Sequence, residues 1–264
     1  MPHTVEKRYA VVSCHVERPL DDPTWQLFSR LQRRRPGGFP IAALLRPPDE
    51  AHGEDAETWL ARAREAAARG PLGHHTHWGG PGTARPPAGS PEPAALVRRE
   101  ALWLRERGLR PTLFCGGGWY LDAAVAEALA ELGYADCTAT AFRPAYLAEA
   151  SPRASLAAPA RLRLGELSLV ELPTTHSLGM AARAALTPRR SAAPVLHVYF
   201  HDTDLLDRRR RAALVGALRL LGRRRTATDL DRLREELGPL APEIPFARVA
   251  RGEGSAPPAA VHST

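Results

Sequence analysis

The chain is almost without lysine. Lys7 is the only one, and every other cationic side chain is an arginine. Cysteine is scarce too: Cys14, Cys115 and Cys137 are too few for a disulfide framework, and their spacing matches no zinc ribbon. Cys14 and Cys137 read as small buried thiols. No apolar run approaches the roughly 20 residues that span a bilayer. The start passes from Met1 directly into the strand-like Arg8–Cys14 without the apolar stretch and cleavage site of a signal peptide. The location expected on that basis is cytoplasmic. No repeat of 20–50 residues is present. No helix-turn-helix, finger or basic strand with interleaved aromatics is present either.

Charge is in excess. The formal net charge is +7 and the pI about 10.0, a balance that attracts anions. The runs Arg33–Arg35, Arg208–Arg211 and Arg223–Arg225 lie on or beside predicted helices and read as solvated faces. A nucleic-acid binder is therefore the least favoured class. Arg208–Arg211 sits just past a candidate site and can draw a phosphorylated, nucleotide-linked or lipid-linked substrate toward it.

Strand and helix signals alternate. Strands are predicted at 9–14, 39–44, 72–77, 112–114, 134–138, 167–172 and 195–200. Helices are predicted at 24–35, 54–69, 93–107, 122–132, 207–221 and 228–237, with Pro23 at one start and Gly70, Gly108 and Gly133 at stops. Residues 79–90 form a Gly/Pro-rich loop. The alternation predicts α/β architecture with a mostly parallel sheet or barrel. With 264 residues, 44% of them hydrophobic, the chain can bury a large core. No clean linker divides it, so one domain over 1–251 and a disordered tail over 252–264 are expected.

Six of the ten histidines gather in three patches or beside them at His197. The patches are His15-Val16-Glu17, His74-His75-Thr76-His77 and His201-Asp202-Thr203-Asp204, each at a predicted strand end. In α/β folds functional groups sit at the carboxyl ends of strands. Histidines and acids from distant strand ends are how such a fold assembles a metal or acid–base site.

These patches occur in order with Leu72-Gly73-His74-His75-Thr76-His77-Trp78, Phe114-Cys115-Gly116-Gly117-Gly118-Trp119, Leu129–Asp136, Val170-Glu171-Leu172-Pro173 and Tyr199–Leu205. The series resembles the polysaccharide deacetylase family, the NodB-like carbohydrate esterases, over roughly residues 8–250. The resemblance implies a distorted, incomplete (β/α) barrel of about seven mostly parallel strands. It also implies a divalent-metal hydrolase, zinc first among metals, that removes acyl groups from amino sugars.

Carried onto this chain, the resemblance puts Glu17, His75 and His77 on the metal. An extended backbone turns residues i and i+2 to one side, so His15 can face the site with Glu17, and His77 with His75. His15 stands where the family has a carboxylate base. The reverse assignment, His15 on the metal and Glu17 as base, is open, as is loss of activity. Cys115 replaces the arginine that braces that carboxylate; without the anion such an arginine has no partner. His201 matches the general acid, with Asp202 or Asp204 to orient it. Gly117 and Gly118 either offer backbone N–H groups to a substrate oxygen or make a plain turn. Trp78 and Trp119 are candidates for contact with a sugar, with packing the competing role for Trp119. His176 is a further substrate candidate on a loop, and His74 points away. The function expected is de-N-acetylation of an amino-sugar or polysaccharide precursor. The alternative is a catalytically degenerate NodB-like protein that binds a glycan.

Overall fold

A computed structural model describes residues 7–87, 92–147, 152–187 and 193–252. The expected tail lies, beyond Gly252, outside these residues. The strands are β1 (Tyr9–Val16), β2 (Ile41–Leu45), β3 (Leu72–Thr76), β4 (Leu113–Gly116), β5 (Ala135–Asp136), β6 (Ala160–Leu164), β7 (Leu167–Glu171), β8 (His176–Ser177), β9 (Val195–His201), β10 (Thr226–Ala227) and β11 (Glu243–Pro245). The helices are α1 (Asp22–Arg34), α2 (Ala56–Ala67), α3 (Pro93–Glu106), α4 (Ala123–Leu132), α5 (Leu178–Leu186), α6 (Arg208–Gly222), α7 (Leu230–Leu237) and α8 (Phe246–Ala250).

The strands form one sheet in the order β11-β6-β7-β5-β4-β3-β2-β1-β9-β8, with β10 beside β1. Every pairing is parallel except the β6–β7 hairpin. The seven expected strands are all present. The described sheet nevertheless has 11 strands, not about seven. The additions are the β6 arm of the hairpin and the short β8, β10 and β11, too brief to show a hydrophobic period.

Parallel strands covered on both faces read as apolar runs, and β1 is buried along its whole length. Its residues divide by parity. Ala10, Val12, Cys14 and Val16 join the core under α1 and α6 with Phe28, Leu31, Leu214 and Leu218. Tyr9 and Val11 face a second core with Leu44, Leu113, Cys115, Ala135, Cys137, Leu172 and Val195, contributed by five other strands or their ends. A third core lies under α3 and α4, around Phe114, Val97 and Leu129.

Helix starts follow the sequence signals. Asp21, Asp55, Asp122, Ser177, Asp207 and Asp229 each accept a backbone N–H from the first turn of the helix that follows. Gly133 stops α4 with a left-handed backbone, φ 75°. These caps hold each strand-to-helix junction, and β1, β3 and β9 all end on one side of the sheet. Among the described residues no helix is long and apolar enough to cross a membrane.

Candidate functional site

Register brings the patches together. His15 of β1 pairs with His201 of β9, and His75 of β3 with Cys115 of β4. Glu17 follows β1 and reaches across to β3. Its Oε1 lies 3.2 Å from His75 Nε2 and 3.9 Å from His201 Nε2, and its Oε2 lies 2.8 Å from His77 Nε2. One ligand atom from each of Glu17, His75 and His77 falls within 4.8 Å of the others.

The opposite nitrogens settle the tautomers. His75 Nδ1 donates to the Cys115 carbonyl at 2.7 Å, and His77 Nδ1 donates to the Pro81 carbonyl at 2.8 Å. In a neutral ring the Nε2 atoms are then bare lone pairs, both aimed at a carboxylate. His77 Nε2 is buried, yet it makes no hydrogen bond despite its 2.8 Å approach to Glu17. Two lone pairs and an anion pointing at one another is an unfavourable set unless a cation joins them. The engaged Nδ1–H with a free Nε2 is how proteins orient metal-ligating histidines. The donor set therefore fits a divalent ion. Burial works to raise the Glu17 carboxyl, but where the two rings carry protons in place of an ion, hydrogen bonds and charge from His75 and His77 outweigh it and hold the group well below the usual carboxylate range.

His15 is 3% exposed. Its ring lies 4.7 Å from that of His75 and 5.3 Å from that of His201, and its Nε2 has no hydrogen-bond partner. Burial, with His75 and His201 nearby, lowers its pKa well below the ordinary value. His201 is more open, its side chain 39% exposed. Burial lowers its pKa too, against the pull of Glu17 and Asp204.

Of the two acids offered for His201, Asp204 is the one beside it, with Oδ2 3.9 Å from Nδ1 and 2.9 Å from the His201 backbone N. Arg210 donates to its other oxygen at 2.8 Å. Asp202 turns away. It accepts the Arg18 and Thr203 backbone N–H groups, and burial raises its pKa to about 6.

Several substrate candidates are placed elsewhere. Trp78 is 3% exposed and donates to the Gly117 carbonyl, and it lines the depression beside His77 without a ring contact or hydrogen bond to Glu17 or His15 among the described residues. Gly117 and Gly118 form a tight turn under residues 84 and 85. A Cβ on Gly117 would lie 2.5 Å from the Thr76 carbonyl oxygen, and one on Gly118 would lie 2.2 Å from Arg85 Cγ. These glycines answer to close packing beside His77. His176 pairs with Val198, three residues short of His201, and donates or accepts at Thr175 Oγ1. Burial, with Arg225 nearby, lowers its pKa to about 4. Arg225 binds the Tyr9 and Ala193 carbonyls at the opposite strand ends.

Trp119 does border the site, its ring 5.3 Å from His15. It is buried, with a left-handed φ of 61°. A bulky residue in that region is strained, as at many ligand sites. It meets Tyr199 at 4.8 Å, and Tyr199 stacks on Phe142 at an interplanar angle of 7°. This aromatic wall was missed in the sequence. Tyr199 stands two residues before His201 and so shares its side of β9; Phe142 comes from a loop with no such signal. Two depressions reach the centre, one of about 530 Å³ past Glu17, Arg18 and Thr203 and one of about 830 Å³ past His77, Glu100 and Trp103.

No family model matches the chain, and no curated protein does. Among solved structures it is similar to 4-alpha-glucanotransferase from Thermococcus litoralis, with a TM-score of 0.56 at 13% identity over 91% of this chain and 42% of that one. The open form of tryptophan synthase from M. tuberculosis matches at a TM-score of 0.41 and 14% identity, over 83% of this chain and 94% of that one. The chain thus spans less than half of the glucanotransferase, and the likeness is one of fold.

Proposed function

We propose that this chain is a metal-dependent hydrolase of the polysaccharide deacetylase type that removes an acyl group from the nitrogen of an amino sugar. The observation that carries this reading is the convergence of His75 Nε2 and His77 Nε2 on Glu17 while both Nδ1–H groups are engaged behind. We place the site at the mouth of an incomplete barrel whose ring is seven of the 11 described strands, β7-β5-β4-β3-β2-β1-β9. Residues 172–175 support that ring, because Leu172 and Thr174 donate to Asp136 and Ala139 on one side and Thr175 donates to His197 on the other.

Glu17, His75 and His77 are the residues to hold a divalent ion, zinc first. Two imidazoles and a carboxylate are a donor set that would suit such an ion. Such an ion, when bound, polarises an acyl oxygen and makes water acidic. Glu17 lies between the imidazoles, which favours it over His15 as the ligand. His15 then takes the proton of the attacking water. His201, on the adjacent strand, gives one to the departing nitrogen. Asp204 orients His201, and Arg210 fixes Asp204. Tyr199 and Phe142, both half-buried, offer ring faces to a sugar. The substrate class is an amino sugar, free or linked to a nucleotide or lipid, and the place of work is the cytoplasm.

Elemental analysis of the purified chain, paired with an acetate-release screen of N-acetylated sugars, tests this. The expected result is a stoichiometric divalent ion, lost in Glu17→Gln and His75→Ala, and acetate release that tracks it. A wild-type chain that takes up no metal and releases no acetate overturns this reading.

A further inference from the structure

Away from the metal centre, α1 and α6 lie on either side of a groove of about 580 Å³. Leu27, Leu31 and Val215 give it an apolar floor. Arg30, Arg34, Arg208, Arg211 and Arg219 rim it, and no acid lines it. Arg211 donates to the Leu205 carbonyl. For the other four, no hydrogen-bond or ion-pair partner is found among the described residues. Like charges gathered round one trough repel, so they add nothing to folding.

Gly216 stands in the same wall. Glycine weakens a helix interior relative to alanine, and nothing lies within 4 Å of where its Cβ would be. Packing does not demand it. Gly222 on the same helix differs, since a Cβ there would lie 2.1 Å from the Gly37 carbonyl oxygen. That contact pins the end of α6 to the turn after α1, and α1 packs on the turn at residues 202–206. The groove is therefore preformed, with Gly216 leaving it open.

We propose that this groove binds an anionic phospholipid and docks the chain on an anionic bilayer surface, headgroup phosphate on the arginines and an acyl chain along the trough. Guanidinium forks match phosphate oxygens in pairs, and the floor matches a hydrocarbon chain. The volume holds only about one turn of α-helix, too little to seat an acidic amphipathic helix. An apolar floor has no use for a nucleic-acid backbone. This docking is independent of the hydrolytic reading.

Co-sedimentation with vesicles of phosphatidylcholine, with and without phosphatidylglycerol, tests it on the full chain. The wild type should bind only the anionic vesicles. The triple variant Arg30→Gln, Arg34→Gln, Arg219→Gln should bind roughly a hundredfold more weakly. Gly216→Leu adds bulk on the trough side without changing charge, starting from a Cβ with nothing within 4 Å, and should weaken binding about tenfold by excluding the chain while keeping the wild-type circular dichroism. Unaltered binding by Gly216→Leu reduces the attraction to surface charge and overturns the groove. Absence of vesicle binding overturns it too. So does equally tight binding of a polyglutamate peptide or duplex DNA that the same variants abolish, because the partner is then of another class.

Discussion

Single side chains decide what the centre can do. Asp204 is 3.9 Å from His201 Nδ1 and touches none of the three ligands proposed for the metal. Asp204→Asn keeps the shape and loses the charge. Acetate release should fall by about tenfold or more, with metal content unchanged by elemental analysis. A second residue pair lies away from the centre. Asp136 and Glu171 are both fully buried, in register on β5 and β7, and Asp136 Oδ2 and Glu171 Oε2 have no other hydrogen-bond partner, so a proton on one can join the pair. Burial raises both, and the Asp136 charge pushes Glu171 up further, so Glu171 keeps its proton. Folding thus takes up a proton. The stability this pair contributes is fully present below the ordinary carboxylate range and is lost as pH rises through the raised folded values. Asp136→Asn retains the acceptor used by Thr138 N and Oγ1 and removes the buried charge. Its melting temperature should exceed that of the wild type near neutral pH, by about 1–3 kcal/mol of stability. The gain should shrink as the pH is lowered.

At the level of elements, β3 carries the two histidines, and its position depends on a glycine. A Cβ on Gly73 would lie 2.1 Å from Leu44 Cδ2 and 3.2 Å from Leu113 Cβ, on the strands to either side. Gly73→Ala must turn the Leu44 side chain aside or shift β3, and His75 moves with the strand. Denaturation should show a loss of about 1–3 kcal/mol, and zinc titration a weaker site. If stability falls while zinc affinity stays at the wild-type value, β3 does not set the ligand geometry. The expected strand at 195–200 is legible as a largely apolar run ended by His201, and the one at 72–77 by its place between the helix stop at Gly70 and the Gly/Pro-rich loop. Only two residues of the stretch expected at 134–138 are strand. Beyond Asp136 the chain bends, with Thr138 and Ala139 N–H groups donating to Asp136 and Glu171 side chains rather than to a ladder. No periodicity announces that exchange.

For the whole molecule, a bound ion is a link among β1, β3 and the loop at Pro81. Ligand that binds only the folded state adds about 2.7 kcal/mol at a hundred times its Kd. Zinc should then raise the melting temperature by roughly 5–10 °C for a chain of this size. A chelator should reverse the rise, and Glu17→Gln should abolish it. An equal rise in Glu17→Gln would place the ion elsewhere.

The amino-acid sequence by itself determined the alternation of strands and helices, the glycine that stops α4, and which histidines stand at strand ends. Those are local properties of period and of glycine's backbone freedom. It also put Glu17, His75 and His77 in one set, because i and i+2 share a side and the patch order resembles a known family. Only the tertiary structure decided between Asp202 and Asp204. The two differ in which backbone N–H groups lie within reach after β9 turns. It alone placed His176 with Arg225, set Trp78 in the depression beside His77, moved the two glycines from substrate contact to packing, and brought Phe142 against Tyr199. It alone brought arginines of α1 and α6 around one groove. Each of these depends on parts of the chain far apart in number, whose meeting is settled by the register of the sheet and the packing of helices on it.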